Sequence, residues 1–433
     1  MLWKFRLKPT KSTLFVLLVV LLTVVVWNFL TYRSFNRRHF DQIREKEAYF
    51  ISKLSHLERD IKEEVTANAE LLDRLRKANP FINLPKGKEG VFPVLVIACN
   101  RVSVNRALDK LLEYRVNATK FPIVVSQDCA HEDTAKVILQ YVTSHNISLV
   151  KQPDTSEIAV PKAHSKLVSY YKVARHFRWA LELMFVHLDF NAVIIVEDDI
   201  EIAPDFYEYF SATYPLLHAD PSLYCISAWS DNGMEGKVSG EPGRLYRTDF
   251  FPGLGWMLEK SLWLELRETW PATFWDDWLR APDQRKGRQC IRPEISRTKT
   301  FGSKGVSNGA YYTKYLQHIK LNTEFVPFTL LNLSYLEQVT YNQTFTSQVY
   351  SAPLHEDPDV VFHPLANNDT AVRFEYSDKP RFVKLAGTFG VMEDFKAGVA
   401  RTAYNGVVTF MHKGKRVYLA PPPNWGGYNV SWY

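Results

Sequence analysis

The stretch that most constrains how this chain folds spans positions 193–201 and reads Val-Ile-Ile-Val-Glu-Asp-Asp-Ile-Glu. Four β-branched apolar residues run directly into three acids, Glu197, Asp198 and Asp199. So short an apolar run predicts a strand that is buried on both faces of a sheet. The acids then follow the carboxyl end of that strand, where open α/β sheets bind their ligands.

The three adjacent carboxylates would repel one another unless a cation or sugar hydroxyls satisfied them. Their hard oxygen atoms suit Mg²⁺ or Mn²⁺, and a phosphate commonly completes the coordination of such an ion. A solvated acidic turn is the alternative interpretation, and the acids alone leave both open.

An uncharged apolar run at residues 14–30 follows a basic N-terminus. Its length and the lack of a cleavage site after it predict an uncleaved signal anchor, with a cytoplasmic tail at 1–13 and a luminal remainder. So short a span fits the thin membranes of the early secretory pathway. A buried core helix is the alternative.

Residues 31–90 are rich in charge and predict a luminal stem that is mostly helical. Seven of the ten heptad positions are apolar in the series Ile43, Glu47, Phe50, Leu54, Leu57, Ile61, Glu64, Asn68, Leu71 and Leu75. This pattern favours a stalk that could self-associate, with a single solvated helix as the alternative. Asn79-Pro80 and residues 84–90 predict a linker.

From position 91 onward, predicted strands alternate with predicted helices. Strands are expected at 91–100, 121–129, 147–150 and 223–229, with helices at 106–114, 132–145 and 166–188. The alternation predicts an α/β fold with a mostly parallel, helix-covered sheet. Residues 251–257 predict a glycine-containing loop or bent strand, and 406–419 a hairpin in a smaller β-rich subdomain.

Composition excludes some classes of function. The 433 residues carry a net charge of +6, with 53 basic residues scattered among 47 acids, so no nucleic-acid partner is expected. No P-loop, no zinc-type spacing and no Gly-x-Gly-x-x-Gly after the first strand is present.

Four cysteines could form two disulfides in a lumen, with three possible connectivities. Six Asn-x-Ser/Thr sequons agree with a luminal location: Asn117, Asn146, Asn332, Asn342, Asn368 and Asn429.

Further polar residues fit a nucleotide–sugar site. Arg101 and Asp128 follow predicted strands, and Asp276 or Asp277 of Phe-Trp-Asp-Asp-Trp is the candidate general base. Flanking aromatics stack well on sugars, although core packing beside a helix N-cap explains the motif equally well.

Three of these candidates have simpler alternatives. His176 could face a uracil ring or serve as a packing histidine. Ser307, in the basic Gly/Ser-rich stretch 296–309, could donate to a phosphate or have no role. Arg101 could be a surface charge.

Seven motifs occur here in a specific order: Cys-Asn-Arg, Ser-Gln-Asp-Cys, Tyr-Tyr-Lys-Val-Ala-Arg-His-Phe-Arg-Trp, Glu-Asp-Asp-Ile-Glu, Tyr-Arg-Thr-Asp-Phe-Phe-Pro-Gly-Leu-Gly-Trp, Phe-Trp-Asp-Asp-Trp and Arg-Pro-Glu-Ile-Ser-Arg-Thr. From about position 91 to the end, the chain resembles the N-acetylglucosaminyltransferase I family. The resemblance implies a GT-A glycosyltransferase that inverts the anomeric centre, with a catalytic domain at 91–302, a donor-site loop and linker at 303–338 and a C-terminal subdomain at 339–433.

The resemblance also implies roles for the site residues. Asp199 is the expected Mn²⁺ ligand and Asp276 the catalytic base. The expected donor contacts are Glu197 and Asp198 to GlcNAc and ribose, Asp128 and His176 around the uracil, Arg101 elsewhere on the donor, and Ser307 to a phosphate. The implied disulfides are Cys99–Cys129 and Cys225–Cys290.

The expected function is transfer of GlcNAc from UDP-GlcNAc, in β-1,2 linkage, to the α-1,3-linked mannose of high-mannose N-glycans in the Golgi. One alternative is β-1,2 transfer to O-linked mannose, although residues 31–90 are too short and charged for the extra sugar-binding domain of that enzyme. Another is a non-catalytic Golgi lectin or scaffold, which the complete set of acids opposes.

Overall fold

The computed structural model describes residues 11–78, 84–303, 305, 309, 311–362 and 369–433. Positions 1–10 of the predicted tail, Asn79 and Pro80 of the predicted linker, Ser307 and the Asn368 sequon lie outside these ranges. The chain divides into two units, Met1–Asn83 and Leu84–Tyr433.

The described part of the first unit is one continuous helix, α1 (Lys11–Ala78). At about 1.5 Å per residue it is roughly 100 Å long. Its N-terminal part is long and apolar enough to cross a membrane. The apolar heptad positions from Ile43 to Ile61 are exposed. The helical character predicted for the stem is confirmed, and its self-association stays a prediction.

The second unit mixes helices and strands. Its helices are α2 (Val104–Glu113), α3 (Glu132–His145), α4 (Val168–Glu182), α5 (Phe206–Ala219), α6 (Lys260–Leu266), α7 (Trp275–Arg280), α8 (Pro282–Arg285), α9 (Gln338–Ser351), α10 (Pro358–Val361) and α11 (Lys379–Phe389). Its strands are β1 (Val94–Ala98), β2 (Ile123–Gln127), β3 (Ser148–Lys151), β4 (Ala192–Glu197), β5 (Ile200–Ile202), β6 (Leu223–Ser227), β7 (Leu245–Thr248), β8 (Trp256–Glu259), β9 (Gln289–Pro293), β10 (Thr298–Thr300), β11 (Leu354–His355), β12 (Ala371–Glu375), β13 (Phe395–Lys396), β14 (Val399–Ala400), β15 (Val408–His412) and β16 (Lys415–Ala420).

Eight strands form the main sheet, in the order β3-β2-β1-β4-β8-β6-β9-β7. The pairs among β3, β2, β1 and β4 are parallel, as is β6 with β9, whereas β8 and β7 run antiparallel to their neighbours. The predicted mostly parallel α/β sheet is therefore confirmed. The apolar residues of β4 are almost completely buried, because sheet neighbours and packed side chains cover the strand on all sides.

The predicted helix at 166–188 is built from three segments. A 3₁₀ turn, Lys162–Leu167, leads into α4, and a π-helical turn, Leu183–His187, follows it. The prediction rested on helical periodicity, which does not distinguish short 3₁₀ and π-helical turns from an α-helix. The face of α4 that includes Ala174, His176 and Phe177 is buried.

The C-terminal part contains a second sheet, in the order β11-β12-β16-β15. The predicted hairpin is confirmed as the antiparallel pair β15–β16, in which His412 lies opposite Lys415. Helix α11 packs its apolar face into a separate cluster of buried side chains with this sheet. Treating this part as an independent subdomain stays a prediction.

A buried ion pair fixes the chain just before β10. The Arg297 guanidinium lies 3.0 Å from Oδ2 of Asp205, and both side chains are fully buried. Asn322 donates to the same carboxylate oxygen over 3.1 Å. Because β10 pairs with β5, this cluster supports the short ladder that follows the acidic stretch.

Two disulfides brace the sheet, Cys99–Cys129 and Cys225–Cys290, with Cα–Cα distances of 5.5 and 4.6 Å. Both pairings that the family resemblance implied are confirmed. The first joins the chain after β1 to the chain after β2, at the edge of the sheet that carries the acids.

Candidate active site

The acidic stretch lies where β4 leaves the sheet, as predicted. Glu197 is the last residue of β4, and the amide of Asp198 still donates to the carbonyl of Ile97 over 3.0 Å. The chain then turns into β5, whose Ile200 pairs with Thr300 of β10. The acids are thus held between the main sheet and a two-stranded ladder, which contradicts the interpretation as a freely solvated turn.

Arg101 bridges two of the acids. Its Nε donates to Oδ1 of Asp198 over 3.0 Å, and its Nη2 lies 3.1 Å from Oδ2 of Asp199. The amide of Cys99 donates to the other oxygen of Asp198 over 3.2 Å. The side chain of Arg101 is 26% exposed, so the alternative role as a plain surface charge is wrong.

Burial makes these acids difficult to ionise. Burial raises the pKa of Glu197 to about 8, and the charges of Asp199, Asp198 and Asp276 raise it too, against the effect of Arg101. Burial and the charge of Asp199 raise the pKa of Asp198 to about 6. Burial also raises the pKa of Asp199. A cation bound here would favour the ionised forms, so the site is suited to positive charge.

Asp276 is brought to the acids by stacked tryptophans. Trp256 of β8 lies opposite Ile195 of β4, two residues before Glu197. The ring of Trp275 stacks on that of Trp256 at 5.9 Å and 18°. The next residue, Asp276, is near enough for its charge to act on Glu197. Two motifs distant in the sequence therefore meet at one site.

Of the three aromatics of Phe-Trp-Asp-Asp-Trp, Trp275 belongs to the core, and the other two are half-buried. Trp275 also stacks on Phe177 at 4.4 Å and on Trp270 at 5.8 Å, and it is buried. Phe274, with φ of 48°, occupies the N-cap position of α7. The packing interpretation is thus correct for Trp275, and its ring is not available to stack on a sugar. The side chain of Asp276, in contrast, is 43% exposed.

A network of opposite charges surrounds Asp276. Nη1 of Arg280 lies 2.7 Å from Oδ2 of Asp276 and 2.8 Å from Oδ1 of Asp277. Lys396 of β13 donates to Oδ2 of Asp277 over 2.9 Å. Burial alone would raise the pKa of Asp277, but the bonds from Lys396 and Arg280 lower it.

His176 packs against the end of β2, the strand that Asp128 follows. Nε2 of His176 is 2.8 Å from the hydroxyl of Ser126, and the histidine is 3% exposed. Burial lowers the pKa of His176 to about 4, although the charge of Asp128 opposes this. The imidazole is neutral at pH 7 and packed in the interior, so the alternative of a packing histidine agrees with the structure. Contact with a uracil stays a prediction.

The residues present fit a single divalent cation that also binds phosphate. Among the described residues, no group of three or more His, Cys, Asp or Glu side chains is arranged to hold a metal by itself. A cation bound at these acids would need phosphate and water oxygens to complete its shell. That Asp199 is its ligand, as the family resemblance implies, stays a prediction. The raised pKa values of Glu197 and Asp198 agree with a site for positive charge.

Comparison with known proteins then decides the family. A sequence profile described as the GNT-I family matches residues 14–432. A relative in Arabidopsis thaliana, named alpha-1,3-mannosyl-glycoprotein 2-beta-N-acetylglucosaminyltransferase, is 38% identical over 385 residues, which cover 88% of this chain and 85% of the relative. The chain belongs to the GNT-I family.

Two solved structures show limited similarity to this GNT-I family chain. One is the mannosyltransferase PcManGT from Pyrobaculum calidifontis in complex with GDP-Man and Mn²⁺, 19% identical over 52% of this chain and 62% of that one, with a TM-score of 0.32. Another is S. aureus TarS 1-349 in complex with UDP-GlcNAc, 15% identical over 40% of this chain and 47% of that one, with a TM-score of 0.28. This chain covers less than two thirds of either.

Three residues at this GNT-I family site were missed from the sequence. Arg280 and Lys396 hold the carboxylates of α7, and Gly302 lies against Asp199. The spacing of Arg280, three and four residues after the two acids, could have indicated a helical ion pair. Lys396 and Gly302 gave no such signal, because their contacts depend on the tertiary fold.

Proposed function

We propose that this chain transfers GlcNAc from UDP-GlcNAc to the 2-hydroxyl of the α-1,3-linked mannose of high-mannose N-glycans, in β-1,2 linkage. Membership of the GNT-I family supports this substrate pair. The observation that carries the proposal is the stacking of Trp275 on Trp256, which lies opposite Ile195 of β4, because it brings the candidate base Asp276 to the strand that ends in the acids.

Donor recognition is assigned to the edge of the main sheet. Glu197 and Asp198 accept hydrogen bonds from GlcNAc and ribose hydroxyls, while Asp128 and His176 lie at the uracil. Arg101 places a positive charge beside the donor, and its guanidinium contacts Asp198 and Asp199. Ser307 would donate to a phosphate, as the family resemblance implies.

Asp199 would hold Mn²⁺ together with the diphosphate of the donor. When bound, the cation supplies positive charge that stabilises the leaving UDP. The contact with Arg101 keeps the carboxylate oriented, and the short ladder of β5 and β10 fixes its backbone.

The reaction is a single displacement. Asp276 takes the proton of the mannose 2-hydroxyl while that oxygen bonds to C1 of GlcNAc and the bond from C1 to the phosphate oxygen breaks. Attack opposite the leaving group inverts the anomeric centre. Oδ2 of Asp276 is held by Arg280, and within the described residues no donor bonds to Oδ1, which is the oxygen assigned to the proton.

The apolar part of α1 supports a single-pass anchor. With the basic tail on the cytoplasmic side, the sequons and disulfides of the second unit would be luminal, as expected of a type II Golgi membrane protein. Signal from a luminal epitope tag only after the Golgi membrane is permeabilised would support this topology.

The decisive experiment measures UDP release from UDP-GlcNAc by the detergent-solubilised full chain, with and without a high-mannose N-glycan and with Mn²⁺ or EDTA. We expect release that needs both glycan and Mn²⁺, and a β-1,2-linked product. Binding of the glycan without consumption of UDP-GlcNAc would favour a non-catalytic lectin. Transfer to O-linked mannose alone would favour the alternative enzyme that adds GlcNAc in β-1,2 linkage to O-linked mannose.

Two variants separate the proposed roles. Asp276→Asn should abolish transfer and leave UDP-GlcNAc binding intact, whereas Asp199→Ala should weaken Mn²⁺-dependent binding of UDP-GlcNAc. Asp283→Asn, at an exposed acid on the adjacent helix α8, is the matched control. Turnover retained by Asp276→Asn would remove Asp276 from the role of base.

A further inference from the structure

Helix α7, which carries Asp276, is too short to hold its own position. It has six residues, and isolated helices of this length are unstable in water. Its first turn follows Phe274, a non-glycine residue with φ of 48°, a backbone conformation that is unfavourable for such a side chain. The placement of Asp276 must therefore come from tertiary contacts.

One set of contacts is apolar and fixes the start of the helix. Trp275 stacks between other aromatic rings of the core, as described above. The side chain of Asp276, however, is partly solvated. Burial of Trp275 thus fixes the backbone and leaves the rotamer of Asp276 to its polar neighbours.

The polar contacts form a chain of alternating charge. Arg280 is 8% exposed, its Nε donates to the carbonyl of Phe251 over 3.0 Å, and its guanidinium lies over the ring of Phe250 at 4.8 Å. Its Nη1 is shared between Asp276 and Asp277. The guanidinium is therefore fixed independently of Asp276 and can act as a rigid support for it.

Lys396 completes this chain from a distant part of the sequence. It ends β13, a two-residue strand paired with β14, and it bonds to the oxygen of Asp277 that Arg280 does not contact. Without Lys396, Asp277 would depend on Arg280 for its charge compensation and would compete with Asp276 for Nη1 of Arg280. Charge balance between these groups thus decides how Asp276 is held.

We infer that Lys396 is a positioning residue for the transfer reaction, acting through Asp277 and Arg280 on the orientation of Asp276. This inference rests on the proposed role of Asp276 as base. It gives the C-terminal part of the chain an indirect role in the transfer reaction, because Lys396 acts through Asp277 and Arg280.

Asp276 lies in a network of charged groups, which includes Arg280 and Asp277 of α7 and, through Asp277, Lys396 of β13. The charges of Asp276 and Glu197 of β4 also act on each other. Lys396→Met removes a positive charge from this network, and Asp277→Asn removes a negative one. The two variants should therefore move the acidic limb of kcat/KM in opposite directions.

The test uses the full chain with UDP-GlcNAc, saturating Mn²⁺ and a high-mannose N-glycan. Lys396→Met should lower kcat by about 10- to 100-fold, the size expected when a catalytic group is misplaced by about 1 Å. Its KM for UDP-GlcNAc should stay within about twofold of the wild type, because the acid cluster is not altered. Lys396→Arg should restore most of the lost rate, and its acidic limb should return toward the wild type.

Lys136→Met is the matched control. Lys136 forms the same kind of pair with Asp133, at 3.1 Å on the surface of α3, and its loss should leave kcat and the pH profile unchanged. A Lys396→Met enzyme with wild-type kcat and pH profile would overturn the inference. So would acidic limbs of Lys396→Met and Asp277→Asn that shift in the same direction.

Comparison of Asp276→Asn with Lys396→Met separates a failure of the positioning role from a failure of the proposed function. If Asp276→Asn is inactive and Lys396→Met is normal, the base stands and the positioning role fails. If Asp276→Asn keeps its turnover, the base assignment fails, and with it the premise of the positioning role. A loss of rate in Lys396→Met with an unchanged pH profile and no rescue by arginine would indicate a structural effect and overturn the inference.

Discussion

A Cβ atom placed on Gly302 would lie 1.9 Å from Oδ2 of Asp199. This is about half of an ordinary contact distance, so the backbone of Gly302 fills the space beside the proposed metal ligand. The amide of Phe301 donates to the carbonyl of Asp199 over 2.9 Å, which holds the two segments together. A side chain at position 302 must displace the Asp199 carboxylate.

Gly302→Ala should therefore weaken Mn²⁺-dependent binding of UDP-GlcNAc by about 10- to 100-fold, as expected for a shift of about 1 Å in a positioned group. Isothermal titration of UDP-GlcNAc with Mn²⁺ present measures this. Gly240→Ala is the control, since a Cβ there meets nothing within 4 Å. Equal affinities of the two variants would show that Asp199 tolerates the displacement.

The acid cluster should make the stability of the metal-free protein depend on pH. The folded pKa of Glu197, about 8, lies above its ordinary value of 4.5. Between these pH values the folded state binds more protons than the unfolded state, so stability falls as pH rises through this window. We expect the Tm in EDTA to decrease from pH 5.5 to pH 8, and to decrease less in Glu197→Gln. A steeper decline in Glu197→Gln would contradict the assignment.

The buried pair of Arg297 and Asp205 should be costly to break. Asp205→Ala leaves a fully buried guanidinium without its carboxylate, for which a loss of about 3–5 kcal/mol in unfolding free energy is expected. Denaturant unfolding measures the loss. Asp133→Ala, which removes a carboxylate from an exposed pair, should cost no more than about 1 kcal/mol. A loss of that small size in Asp205→Ala would show that the pair is not a stabilising feature.

The two disulfides should differ in their effect on donor binding. Replacing Cys99 and Cys129 by alanine frees the segment whose amide bonds to Asp198, so UDP-GlcNAc affinity should fall together with stability. Replacing Cys225 and Cys290 should lower stability by a similar amount, about 2–5 kcal/mol, without a further loss of affinity in the folded enzyme. Titrations at a temperature where both variants are folded compare them. Equal affinities would remove the first disulfide from the support of the donor site.

Local sequence signals were enough to predict much of the sheet. The β-branched run of β4, the limits of α3 and the hairpin of β15 and β16 each follow from patterns of a few residues. The position of β8 could not be predicted in this way. The Phe-Pro-Gly-Leu-Gly segment before it resembles a loop, and its antiparallel place beside β4 depends on pairing with distant strands.

The residues of the candidate site likewise fall into those that could be predicted from local sequence and those that could not. The acids of β4 could be recognised from adjacent residues. The residues alone left the base as Asp276 or Asp277, and the family resemblance selected Asp276. The contacts of Gly302 and Lys396 could not be predicted, because they join segments about 100 or more positions apart in the sequence. Side-chain burial also changed an expectation, since Trp275 packs inward.

The position of β4 between β1 and β8 has a consequence for synthesis on the ribosome. Roughly 60 residues separate β4 from β8, and at about 5–20 residues per second they take several seconds to emerge. During that time β4 can pair with β1, but its other edge has no partner. An exposed apolar edge invites pairing with other chains. Nascent chains of this protein should therefore be most prone to aggregation after β4 emerges and before β8 does.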